Sequence, residues 1–143
     1  MLRVAHPSGH CFVCGENSLF GVNGIIRSRE DNSAMCEFSF SVKHQGPPGT
    51  AHGGAIAAVL DDVMSFAMSK FFPAYLAKIE IKYRKPIMIN QPCKIIAELK
   101  EKKGRKIWVN GKIMLPDETV AAESTGLYIQ PKTPLQVSLK YDG

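Results

Sequence analysis

The stretch from His52 to Asp62, HGGAIAAVLDD, decides how the rest of the chain has to be arranged. Its apolar residues cover every side of a helix rather than one stripe, and a helix of that kind must be enclosed. Two glycines open it and two carboxylates sit inside it. A carboxylate among apolar neighbours is costly unless something pairs with it or uses it. The helix is predicted from Gly54 to about Ser69, with Pro73 ending it, because proline has no N–H to donate and restricts the residue before it.

The flanks supply the enclosure. On the N-terminal side, SAMCEFSFSV (33–42) alternates Met35, Glu37, Ser39 and Ser41 with Cys36, Phe38, Phe40 and Val42, the period-two pattern of a half-buried strand. LFGVNGIIRSRE (19–30) is its expected partner, with EDNS (30–33) as the turn. KHQGPPGTAHGG (43–54) is too rich in Gly and Pro for regular structure. Beyond the helix, AKIEIKYRKPI (77–87) sets Ile79, Ile81 and Tyr83 against Lys78, Glu80, Lys82 and Arg84. CKIIAELKEKKGRKIWVNGKIML (93–115) reads as a hairpin turning at Lys103-Gly104, and TVAAESTGLYIQ (119–130) as a last strand. Two strands, one helix and then three or four strands are segregated rather than alternating. The expected fold class is therefore α+β, an antiparallel sheet curled around one long central helix.

The chain has 143 residues, the size of one domain, expected to start with a loop (1–18) and end in a tail (131–143). Hydrophobic content of 45% and charged content of 22% are ordinary for a globular protein. No apolar run approaches the ~20 residues of a bilayer span, and MLRVAHPSGHC lacks a secretory apolar core. The expected setting is cytoplasmic, away from a membrane. The net charge of +5 suits an anionic partner, its basic residues gathering in KIEIKYRK (78–85) and KEKKGRK (100–106). Apart from Tyr83 and Trp108 these segments carry no interleaved stacking aromatics, so no nucleic acid is expected.

The cysteines at 11, 14, 36 and 93 are expected as thiols. HPSGHCFVCG places His6, His10, Cys11 and Cys14 close together, donor types that suit zinc. With no second Cys-x-x-Cys downstream, a loop packed on the core is expected and no metal.

Within the helix the two carboxylates are not equivalent. Asp61 lies two turns from Gly54 on nearly the same side, whereas Asp62 is rotated by about 100° and falls with Ala55 and Val59. Asp61 is the candidate for chemistry, and Asp62 is expected at solvent or paired with a lysine from the basic strand. Gly53 and Gly54 leave the first-turn N–H groups open to a ligand carrying or developing negative charge. The same glycines also suit a tight entry turn. His52 can cap the helix, orient a carbonyl or move a proton.

Taken together, HQGPPGTAHGGAIAAVLDD (44–62), followed by KIEIKYRKPI (78–87), resembles the hotdog-fold acyl-CoA thioesterases of the phenylacetic-acid-degradation (PaaI) type. The likeness runs from about Cys11 to Ile129, and CFVCGENSLFG (11–21) is similar to a leader common in that family. The resemblance implies a homodimer or dimer of dimers with active sites at the subunit interface. It implies Asp61 as nucleophile or general base on water, the Gly54 N–H polarising the thioester carbonyl, and His52 positioning the thioester. Where relatives carry Asn or Gln six residues before the motif histidine, this chain has Gly46, with Gln45 beside it. Where they carry Ser or Thr before the third strand it has Leu76, with Ser65 and Ser69 on the helix as possible substitutes. Gly53 and these side chains, Gln45 and Ser65, join the substrate-binding set. Coenzyme A, part of the substrate rather than a separate cofactor, brings phosphates that Arg84, Lys85, Lys103, Arg105 or Lys106 can meet.

Hydrolysis of an acyl-CoA thioester is the leading reading. A non-catalytic acyl-CoA sensor and a hydratase acting on an enoyl-CoA are the alternatives; the hydratase ranks lower because His52 adjoins the glycines instead of standing in a hydratase-type motif.

Overall fold

The computed structural model describes residues 2–3, 11–22 and 24–133. The strands are β1 (Leu2–Arg3), β2 (Ile25–Arg29), β3 (Ser33–Ser39), β4 (Tyr75–Tyr83), β5 (Pro92–Lys103), β6 (Lys106–Met114) and β7 (Val120–Ile129), with α1 (Gly53–Ala67) between β3 and β4. All pair antiparallel in one sheet of order β1-β2-β3-β5-β6-β7-β4. The predicted α+β class and wrapped helix are what the chain forms, with four strands after the helix.

Helix direction follows from its end contacts. Tyr83, the last residue of β4, donates its hydroxyl to Gly53 O at 2.8 Å. Past the other end of α1, Gln130, just after β7, donates to Phe71 O at 2.8 Å. The helix therefore runs from the sheet end that carries Ser39 and Tyr83 towards the end that carries the Lys103–Lys106 turn. Fifteen residues at a rise of about 1.5 Å span about 22 Å, most of the length of β4.

Ile56, Val59, Leu60, Val63, Met64 and Phe66 of α1 are buried against Phe40, Ile95, Ile107, Val109 and Ile113. Met64 packs against β6 and β7 of the sheet. A Cβ on Gly111 would fall 2.8 Å from its Cγ, and one on Gly126 would fall 2.8 Å from its Cε. The two glycines thus clear the space that lets this side chain bury completely, a gain of roughly 1.5–3 kcal/mol.

Several boundaries move. The helix starts one residue earlier than predicted and ends at Ala67, where a 3-10 turn (Ser69–Phe71) tightens the exit before Pro73. The strand predicted across 19–30 forms only over Ile25–Arg29, since 19–22 belong to the loop that precedes it. Val42, placed by alternation on the buried face of β3, is 68% exposed, because the strand ends at Ser39 and Val42 opens a 3-10 turn. Leu2–Arg3 pair with β2, inside the segment expected as an N-terminal loop. Of the expected tail, residues 134–143 lie outside the described residues. Among the described residues no helix is long and apolar enough to cross a membrane.

Candidate active site

At the opening of α1, His52 stands in extended conformation as the N-cap, and its Nδ1 accepts the Gly54 N–H at 2.8 Å. This bond satisfies one of the donors that a helix start leaves over. It also fixes the tautomer: a ring nitrogen that accepts carries no proton, so the proton of the neutral imidazole sits on Nε2. The exposed His52 thus offers an Nε2–H donor beside the Gly53–Gly54 opening. The Gly54 N–H, expected as the donor to a substrate carbonyl, is held by His52 in the chain itself.

Two turns further on, Asp61 is half-buried. Tyr128, in β7, donates its hydroxyl to Asp61 Oδ1 at 2.9 Å and also approaches the Asp61 carbonyl oxygen at 3.1 Å. Burial holds the Asp61 carboxyl above the usual carboxylate range, with the Tyr128 bond pulling it partly back. Tyr128 is 2% exposed, and burial beside Asp61 raises its phenol, so it remains a donor. The sequence reading passed over this residue. The available signal was a tyrosine at an inward position of TGLYIQ, since a buried Tyr hydroxyl usually finds a partner.

Asp62 is neither at solvent nor paired with a lysine. It faces the N-terminal loop, where Cys11 Sγ lies 3.7 Å from its Oδ1 and Cys14 Sγ lies 3.1 Å from Cys11 Sγ. Burial first, then the neighbouring Cys11, push the Asp62 carboxyl up to about 7. The physical reason is topological: residues 11–14 fold onto the helix face that carries Ala55, Val59 and Asp62, and the basic strand does not reach it. Of the proposed zinc donors, His6 and His10 lie outside the described residues.

A pocket of about 250 Å³ opens beside the helix start, walled by Phe12, Phe20, His44, His52, Gly54 and Ala58 among others. His44, also unassigned from sequence, is buried; it accepts the Ser41 N–H on Nδ1 at 2.9 Å and donates from Nε2 to Phe20 O at 2.7 Å. It thereby ties the Phe20 wall to the loop leading into α1. Gln45 lines the same pocket, and its Oε1 accepts the Gly49 N–H at 2.9 Å. Ser65 donates to Asp62 O at 2.7 Å within the helix. Met64, Phe66 and Met68 are core residues.

The basic candidates separate into two groups. Arg84 and Lys85 follow Tyr83 and lie at the Gly53 end, where Arg84 pairs with Glu123. Lys103, Arg105 and Lys106 stand at the hairpin tip beyond the other end of the helix, about 22 Å away. There Lys103 pairs with Glu101 at 3.2 Å and Arg105 donates to Gln130 O at 3.0 Å. Only Arg84 and Lys85 sit at the same end as the glycine opening of their own chain.

The sequence pattern of the thioesterase superfamily matches residues 48–122, a stretch that holds His52, the glycines and both aspartates. The chain belongs to the thioesterase superfamily. Its sequence is 36% identical to mouse acyl-coenzyme A thioesterase THEM4 over 114 residues, covering 78% of this chain and 50% of that protein. It spans about half the length of the THEM4 relatives it matches. Among solved structures, the fold superposes on the Escherichia coli PaaI protein of the phenylacetic acid degradation operon with a TM-score of 0.71 at 14% identity, covering 76% of this chain and 80% of that one. A Streptococcus mutans protein bound to acetyl-CoA superposes with a TM-score of 0.70 at 19% identity, covering 75% and 87%. The resemblance read from the helix motif therefore holds for thioesterase-superfamily membership and for the hotdog fold.

Proposed function

We propose that the chain hydrolyses an acyl-CoA thioester, with Asp61 activating water or attacking directly, as part of a homodimer or dimer of dimers. The observation that carries this reading is a half-buried carboxylate with a raised pKa, held by Tyr128 and following a glycine-opened, histidine-capped helix start. A general base is most effective when its pKa approaches the working pH, and burial moves Asp61 that way. His52 Nε2–H and the first-turn N–H groups other than that of Gly54, which His52 Nδ1 already takes, are donors for the oxyanion that forms as the thioester carbonyl is attacked. Named thioesterases among the relatives, and a structural neighbour bound to acetyl-CoA, point to the same substrate class.

Helix geometry supports the dimer. Seven residues separate Gly54 from Asp61 by about 10 Å along the axis, whereas one reacting carbonyl needs both its donor and its attacking group within about 3–3.5 Å. A single chain does not bring the two together, so they act from different copies. β4 pairs only with β7 among the described strands, and this edge exposes Tyr75, Leu76 and Tyr83. We place the twofold axis of an antiparallel β4–β4 pairing at Ile79, which sets Lys82 opposite the second copy's Leu76. Leu76 is the register partner of Tyr128, which holds Asp61. The Gly53 end of one helix then faces the carboxylate of the other.

Thiol release from a panel of acyl-CoAs, with Asp61→Asn beside the wild type and mass measured by light scattering, tests this. Binding without cleavage favours the sensor reading, and loss of enoyl-CoA absorbance without free thiol favours hydration.

A further inference from the structure

We propose that Cys11, Cys14 and Asp62 form a binding site for a thiophilic divalent ion of the zinc type, which staples the N-terminal loop to the middle of α1. One donor atom from each residue lies within 4.8 Å of the others. The two sulfurs are 3.1 Å apart, and Cys11 Sγ is 3.7 Å from Asp62 Oδ1. Bonds of about 2.3 Å to sulfur and 2.0–2.2 Å to oxygen, at a tetrahedral angle, set two sulfurs about 3.8 Å apart and a sulfur and an oxygen about 3.6 Å apart. The cysteine–aspartate pair already has that spacing, and the sulfurs have to part by less than about 1 Å.

A second observation points the same way. Asp62 Oδ2 is buried and, among the described residues, has no hydrogen-bond partner. Native proteins leave few such atoms, and here the unpartnered oxygen lies on the same carboxylate whose other oxygen is 3.7 Å from Cys11 Sγ. Oxidation of the two thiols to a disulfide would occupy the sulfurs and leave Asp62 as it is. A divalent ion engages all three groups and converts the repulsion among their anions into shared coordination. Two thiolates with a carboxylate suit zinc better than a hard ion such as magnesium, and three protein donors leave one tetrahedral position for water or another ligand. Phe12 and Val13, between the two cysteines, line the pocket at the helix start, so the ion also fixes one wall of that pocket.

The test uses the chain of residues 1–143, stripped of metal by a chelator under reductant and titrated with Co²⁺. The expected result is a thiolate-to-cobalt charge-transfer band that saturates at one equivalent and is displaced by Zn²⁺. The melting temperature should rise when Zn²⁺ is added. The band should vanish in Cys11→Ser and Cys14→Ser. Asp62→Asn, nearly isosteric and checked by circular dichroism, should keep the band and weaken binding roughly tenfold or more. The site is overturned by the absence of a band in the wild type, or by unchanged stoichiometry in the Cys11→Ser/Cys14→Ser double variant. A Cys11–Cys14 disulfide found by intact mass under the same reductant also overturns it.

Discussion

The Tyr128 hydroxyl lies 2.9 Å from Asp61 Oδ1 and 3.1 Å from the Asp61 carbonyl oxygen, so a single phenol on β7 meets both the carboxylate and the backbone of the helix turn that bears it. Asp61 is thereby held in a set direction although Leu60 before it and Met64 one turn on are buried apolar residues. The bond lets the positioning of the carboxylate be separated from its chemistry by substituting one partner at a time.

Asp61→Asn keeps the size of the side chain and an oxygen for Tyr128 but removes the base. We expect the rate of thiol release to fall by about 10²–10⁴ with little change in melting temperature. Turnover equal to wild type would remove Asp61 from the mechanism.

Tyr128→Phe leaves the base in place and removes its tether. A hydrogen bond to a charged acceptor contributes about 1.5–3 kcal/mol, so chemical denaturation should show a loss of that order. In steady-state kinetics kcat should drop with KM nearly unchanged, because the hydroxyl positions the carboxylate rather than the substrate. A change confined to KM would count against this assignment.

His52→Ala removes the cap on Gly54 N–H and should cost about 1 kcal/mol of stability. His52→Asn restores an acceptor for that N–H and should recover most of the melting temperature. It does not restore the Nε2–H donor, so activity should stay low if His52 orients the thioester. Full activity in His52→Asn would reduce the residue to a cap.

Gly111→Ala puts a methyl 2.8 Å from Met64 Cγ and 2.9 Å from Met64 Sδ, in a fully buried region. Overpacking of this kind costs about 1–3 kcal/mol. Pairing it with Met64→Val should recover part of the loss, a non-additivity readable in a double-mutant cycle.

Arg84→Ala and Lys85→Ala should raise KM for an acyl-CoA, increasingly at low ionic strength, whereas Lys103→Ala and Arg105→Ala should change it little. The first pair lies at the glycine end of its own helix and the second about 22 Å from it. Equal effects from both pairs would show that the phosphates are met from a second copy's hairpin tip.

The sequence by itself determined the enclosed helix, the antiparallel strands around it and the glycine-opened start with its internal carboxylates. Each of those rests on local periodicity or on residue types that only certain backbones accept: the all-round apolar run of 55–60, the alternation of 34–38, the turn at Gly104. It also separated Asp61 from Asp62, because helical spacing is fixed at about 100° per residue. Tertiary structure alone decided what each carboxylate meets. Tyr128 is 67 residues from Asp61, and Cys11 is 51 residues from Asp62. No local pattern encodes such pairings, since they depend on which strand lies over which helix turn and on where the N-terminal loop comes down. Tertiary packing likewise set the two basic clusters at opposite ends of the helix, because hairpin register and strand length, rather than charge, fix where a turn ends up. The motif names the helix and its two carboxylates; the sheet and the N-terminal loop that fold over them assign their partners.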